Sequence, residues 1–154
     1  MGIPEPMQRK PLSDKALRTL ANAGWTETWD RSADLEQWER ALPEFTMSDA
    51  ARDALRRYGG VQVRESGAGE EWARNSFHVE PTLCWGESDR FADFEAIVGT
   101  ALFPLGEIQD GHVFLAIGAD GRVFGLMMEI GLVGETMEDA IEALTRGLRW
   151  TPLE

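Results

Sequence analysis

The chain has 154 residues, 43% of them hydrophobic, with one cysteine and a formal net charge of -12. That length suits one domain with its own core, and a single cysteine excludes an internal disulfide framework. No apolar run approaches the roughly 18 residues that cross a bilayer, and the acidic surplus opposes binding to nucleic acid or an anionic membrane.

The charge is unevenly placed. Residues 1–77 hold 13 acidic and 11 basic side chains, a net of -2, whereas residues 78–154 hold 14 and 4, a net of -10. Such a field draws in basic partners by long-range steering. Residues 1–12, with three prolines, read as a flexible lead-in to a single domain over 13–154. The opening MGIPEPMQRK has no apolar h-region, so no secretory signal is expected; with the lone Cys84 this points to the cytoplasm.

In chain order, Ser13 is a good N-cap for a first helix with Leu17, Leu20 and Ala21 on its apolar stripe, and Gly24 closes it. A second, short helix is expected from Asp34 to Leu42, with Trp38 inward and Pro43 as its stop. Ser48 caps a third helix that buries Ala51, Ala54, Leu55 and Tyr58, and Gly59-Gly60 ends it. Its other face carries Asp49, Arg52, Asp53, Arg56 and Arg57, which reads as a solvated, internally paired face.

Val61 to Glu65 alternates like a strand, Ser66 to Asn75 is a polar loop, and Phe77 to Glu80 is a strand that Pro81 interrupts. Ser88 caps a fourth helix with Phe91, Phe94, Ile97 and Val98 inward, closed by Gly99. The stretch Leu102–Met128 splits into three apolar runs at Asp110-Gly111 and Gly118–Gly121, a meander of hairpins. Its middle run is apolar on both faces, as in a covered central strand. Ile130 to Gly134 leads into Thr136, which caps a last helix burying Met137, Ala140, Ile141, Leu144 and Leu148. These elements predict an α+β fold: a mostly antiparallel central sheet flanked by helices.

The search for chemistry returns little. His78 and His112 lack the ligand spacing of a metal site and read as structural residues of strands. No nucleophile elbow or phosphate loop is present, and 27 carboxylates place some pairs at catalytic separation by chance. Trp25 and Trp38 read as core, while Trp72 and Trp85 lie in polar loops beside Glu70, Glu71 and Glu87. Aromatic side chains ringed by acids suit interface anchors. No catalytic residue, cofactor or metal is expected.

The order of landmarks resembles the third subgroup of the SUKH superfamily of bacterial immunity proteins. Ala23-Gly24-Trp25, Trp38, Tyr58-Gly59-Gly60-Val61, Phe77-His78-Val79-Glu80-Pro81 and Gly86 with Asp89-Arg90-Phe91 carry the first half of the resemblance. Phe103–Glu107, Gly111-His112, Phe114–Ile117, Asp120–Val123, Gly134, Ala140, Leu144 and Gly147 carry the second. It implies the SUKH (SMI/KNR-like) fold and a non-enzymatic immunity protein. Such a protein neutralises the toxin domain, often a nuclease or deaminase, of a polymorphic toxin system. The expected partner is then a cognate toxin with a basic surface, not nucleic acid or membrane, bound by a monomer. The expected contacts are Glu70, Glu71, Glu87, Asp89, Asp93, Glu107 and Asp110, with Trp72 and Trp85 as anchors. A regulatory or scaffolding module of the same fold with an endogenous partner is the alternative, and a small hydrolase using paired carboxylates is a more distant one.

Overall fold

The computed structural model describes residues 11–108 and 111–153. Most of the expected lead-in over residues 1–12, and the expected contact Asp110, lie outside the described residues. The described residues form five α-helices: α1 (Asp14–Asn22), α2 (Leu35–Ala41), α3 (Asp49–Tyr58), α4 (Ser88–Val98) and α5 (Met137–Arg146). The strands are β1 (Gln62–Val63), β2 (Phe77–His78), β3 (Leu102–Ile108), β4 (Val113–Gly118), β5 (Val123–Leu126), β6 (Ile130–Gly134) and β7 (Thr151–Leu153). All seven join one sheet in sequence order, each antiparallel to the next. This is the α+β architecture expected, with the meander extended at both ends.

The middle of the sheet is covered on both sides. Val113, Leu115, Ala116 and Ile117 of β4 are buried, and Phe114 meets Phe91 of α4 at 6.2 Å between ring centroids. Phe114, Leu126, Ile130 and Leu153 stand opposite one another across four strands, a continuous apolar row. In β3 a bulge between Pro104 and Gly106 accommodates a proline in an interior strand, where the missing N–H would otherwise break the ladder.

Several local expectations shift. Ile130–Gly134 is a paired strand and not a lead-in, and β7 adds a further strand at residues absent from the expected sheet. The third run of the meander stops at Leu126, so Met127 and Met128 stand in the turn to β6. On α1 the buried residues are Ala16, Thr19 and Leu20, with Ala21 exposed. Ser13, at the start of this helix, is fastened to Glu142 of α5, its amide and hydroxyl donating at 2.6 and 2.7 Å. Thr19 tolerates burial by donating its hydroxyl to the Lys15 carbonyl at 3.1 Å. Helix α4 begins at Ser88 itself, with Glu87 before it making no side-chain cap, and Ile97 faces solvent. His112 precedes β4 in a turn and is exposed. The caps at Ser13, Ser48 and Thr136 form as expected, each oxygen accepting an amide of the first turn.

Arg57 departs most from its expected place on a solvated face. Its guanidinium bridges Asp53 of its own helix and Glu138 of α5, and Glu138 is 6% exposed. Tyr58 donates its hydroxyl to the same Glu138 carboxylate at 2.9 Å. Burial, and then the Glu138 charge, push the Tyr58 hydroxyl above its ordinary pKa. Burial would lower the Arg57 pKa, but the hydrogen bonds and charges of Glu138 and Asp53 hold it above its ordinary value. The cluster ties α3 to α5 across the domain.

Removing Glu138 leaves the largely buried Arg57 with Asp53 as its remaining acid and leaves the Tyr58 hydroxyl without its acceptor. Glu138→Ala is expected to cost about 3 kcal/mol, read as a lower urea midpoint at unchanged m-value. A raised folded pKa means that Tyr58 contributes its stability below its unfolded value, and that this contribution fades as pH rises through the folded value. Tyr58→Phe should therefore flatten the alkaline loss of stability above about pH 10, measured by denaturation at stepped pH.

Candidate functional site: the surface beside the last helix

The loop between β1 and β2 reaches away from its own strands and seats on the C-terminal end of α5. The amides of Glu70, Glu71 and Trp72 donate to the carbonyls of Arg146 and Gly147 at 2.8, 2.9 and 2.7 Å. Those are acceptors that a helix end leaves without intrahelical partners. Two glycines allow the backbones to come this close. A Cβ on Gly69 would stand 2.1 Å from the Trp72 carbonyl oxygen, and one on Gly147 would stand 2.3 Å from it.

Charge secures the same seat. The Arg146 guanidinium donates to both Glu70 oxygens at 2.8 and 2.9 Å, the bidentate geometry that suits arginine. This hydrogen bonding holds the Glu70 carboxyl below its ordinary pKa and raises that of Arg146. Glu71 accepts the backbone amide of Arg149 at 2.7 Å. The expected contact Glu70 is thus paired internally with an arginine, whereas Glu71 meets a backbone amide.

The seated loop sets Trp72, 43% exposed, beside Trp150, with ring centroids 5.9 Å apart and planes at 56°. Trp150 lies over Gly125 and Gly131, which face each other across β5 and β6. A Cβ at either would come within 2.6 or 2.9 Å of its ring, so these glycines make room for the indole. Met127 and Met128 rise beside it on the β5–β6 turn, 48% and 96% exposed. Together with Pro152 they line an open, mainly apolar groove of about 620 Å³, edged by Glu129 and Arg149.

The remaining expected contacts gather elsewhere. Pro81–Cys84 forms a 3-10 turn after β2, and Trp85 follows it, 70% exposed. Glu87 pairs with Arg90 at 3.6 Å, and Arg90 in turn lies over the Phe114 ring at 5.8 Å. Asp89 and Asp93 are exposed on α4. Glu107 stands opposite His78 and Phe114 and lines a polar recess of about 210 Å³ with Gln62 and Ser76. Trp25 is half-buried, stacked on Tyr58 at 5.7 Å, and Trp38 is buried, donating to Glu80 at 3.0 Å.

Cys84 is buried, and desolvation pushes its pKa up to about 12 while its thiol donates to the Gly106 carbonyl at 3.2 Å. It is a packed thiol and not a poised nucleophile. Among the described residues no three His, Cys, Asp or Glu side chains come together to hold a metal, and no helix is long and apolar enough to cross a membrane.

Sequence reasoning placed Trp72 on this surface but missed Trp150, Met127 and Met128. The methionines read as the end of a strand, and nothing local to Trp150 shows that two glycines on other strands receive it. A small-residue pair at facing positions of β5 and β6 was the available signal, legible once those strands are paired.

The described residues therefore form an α+β domain in which the exposed Trp72, Met127 and Met128 stand together in one groove beside charged side chains, while Trp85 and Ile97 are exposed elsewhere. Exposed apolar groups so gathered suit contact with another protein. The model of the SUKH-3 immunity protein family matches residues 12–147. The chain belongs to the SUKH-3 immunity protein family. No curated protein and no solved structure matches it.

The loop seat is open to a direct test. Gly69→Ala places a methyl against the Trp72 carbonyl, so amide exchange at Glu70, Glu71 and Trp72 should accelerate at least about tenfold. Amides of β4 should keep their protection. Because the Glu70 pKa is lowered, the Glu70–Arg146 contribution is present above the ordinary carboxylate value and is lost as pH falls through the folded value. Loop protection in the unmodified protein should therefore persist to a pH below the ordinary carboxylate range.

Proposed function

We propose that this protein binds a cognate bacterial toxin domain, a nuclease or deaminase of a polymorphic toxin system, and neutralises it without catalysis by covering its active or substrate-binding surface. The family match over residues 12–147 carries this reading, and the charge distribution supports it independently. Enzymes that act on nucleic acid hold it in basic clefts, and a net of -10 over residues 78–154 complements such a cleft. Opposed fields speed encounter and favour one orientation.

On this reading Glu71, Glu87, Asp89, Asp93, Glu107 and Asp110 are the steering set, acting in the cytoplasm of the producing cell. Glu70 contributes chiefly by holding the loop. Trp72 and Trp85 anchor the contact. Glu87 serves at reduced strength, since Arg90 partly compensates it.

Co-expression with the toxin encoded beside this chain's gene should restore growth and co-purify the pair; continued killing would overturn the proposal. Changing Glu87, Asp89, Asp93 and Glu107 together to amides should lower the association rate and flatten its dependence on salt. The dissociation rate should move far less, because exposed charges act on encounter more than on the docked state.

A further inference from the structure

The groove between Trp72 and Trp150 calls for an occupant. Its walls are two indole rings and two thioethers, and Met128 is 96% exposed on a turn whose neighbours Leu126 and Ile130 are buried. Methionine at such a place fits a surface that adapts to an incoming side chain. The groove is also held ready: the loop amides, the Glu70–Arg146 pair and the glycine seats of Trp150 order its walls before any partner arrives. Ordering in advance lowers the cost of binding.

The rim selects the partner. Glu129 lines the groove, and the exposed Glu71 precedes Trp72, its carboxylate accepting the Arg149 amide. Neither acid has a cationic side-chain partner among the described residues, and of these residues Arg149 is the only cation lining the groove. The half of the chain that supplies most of these walls carries a net of -10. A second copy of this chain brings -12 to the contact and is repelled. Strand addition at β7 is also disfavoured, because Pro152 at its centre has no amide to donate.

We infer that the Trp72–Trp150 groove, with Met127 and Met128, receives one large apolar side chain projecting from a basic surface of the partner protein, and that Glu71 and Glu129 pair with the cations around that side chain. The inference rests on the proposed function, with the toxin domain as that partner. It places the apolar anchor of the complex at the β5–β6 turn, on elements other than those that carry the steering charges Glu87, Asp89 and Asp93 on and before α4.

The test uses the full chain and the toxin domain encoded beside its gene, with affinity measured by titration calorimetry. Met128→Glu changes a side chain that is almost wholly exposed, so the fold is not at stake. It adds a favourable charge towards a basic partner but removes apolar burial, so a loss of affinity reports the groove itself. Met128→Glu is expected to weaken binding at least about tenfold, and Trp72→Ala at least as much. Ile97→Glu on α4, an equally plain apolar-to-acid change away from the groove, should stay within about twofold. Unchanged affinity in Met128→Glu, with the unmodified protein still binding and protecting, overturns the groove and leaves the immunity role standing. Failure of the unmodified protein to bind or protect overturns both. Self-association of the chain that Met128→Glu abolishes would assign the groove to a second copy and overturn the basic partner.

Discussion

The seating of the β1–β2 loop on the end of α5 is the contact on which the surface of this protein depends. In sheet order β1 and β2 stand at one edge and β6 and β7 at the other. A loop from the first edge nevertheless satisfies the terminal carbonyls of the helix that follows β6, and carries Trp72 to Trp150 before β7. The backbone hydrogen bonds and the Arg146–Glu70 fork act at the same place. A helix end needs acceptor partners in any fold; here they come from the segment that also builds the groove.

A second tie runs through the interior. Glu138 leaves the first turn of α5 to meet Arg57 and Tyr58 of α3, while Ser13 before α1 holds Glu142 one turn further along. Helix α5 is therefore fastened on successive turns, to α3 by Glu138, to the N-cap of α1 by Glu142 and to the loop by Arg146. Stability and surface shape are coupled in this domain through one helix.

The two groups of expected contacts have different physical characters. Beside α4 the acids are exposed, and Trp85 stands largely in solvent. Beside α5, Glu70 is engaged with Arg146 and Glu71 with a backbone amide, and the exposed groups of the groove are mainly apolar, with Glu129 at the edge. Exposed charge acts over a Debye length and governs encounter, whereas an ordered apolar groove acts only at contact and governs how long a complex lasts. A protein that must intercept an enzyme before its substrate does benefits from both.

Local rules written in the sequence determined the helix caps at Ser13, Ser48 and Thr136, the hairpin at Gly118–Gly121, and the doubly covered strand around Leu115. Each depends on residues within a few positions of one another. The ordered landmarks from Ala23 to Gly147 also pointed to the family. Tertiary structure alone decided that Arg57 turns inward, that Ile130–Gly134 and Thr151–Leu153 complete the sheet, and that Met127 and Met128 face solvent. It alone decided that Glu70 is spent on Arg146, that Gly125 and Gly131 together admit Trp150, and that Trp72 arrives beside it. These outcomes depend on partners distant in sequence, such as Arg57 and Glu138 or Glu70 and Arg146. Spacing along the chain carries no record of such pairs, because they exist only after the sheet has brought its two edges to the same helix.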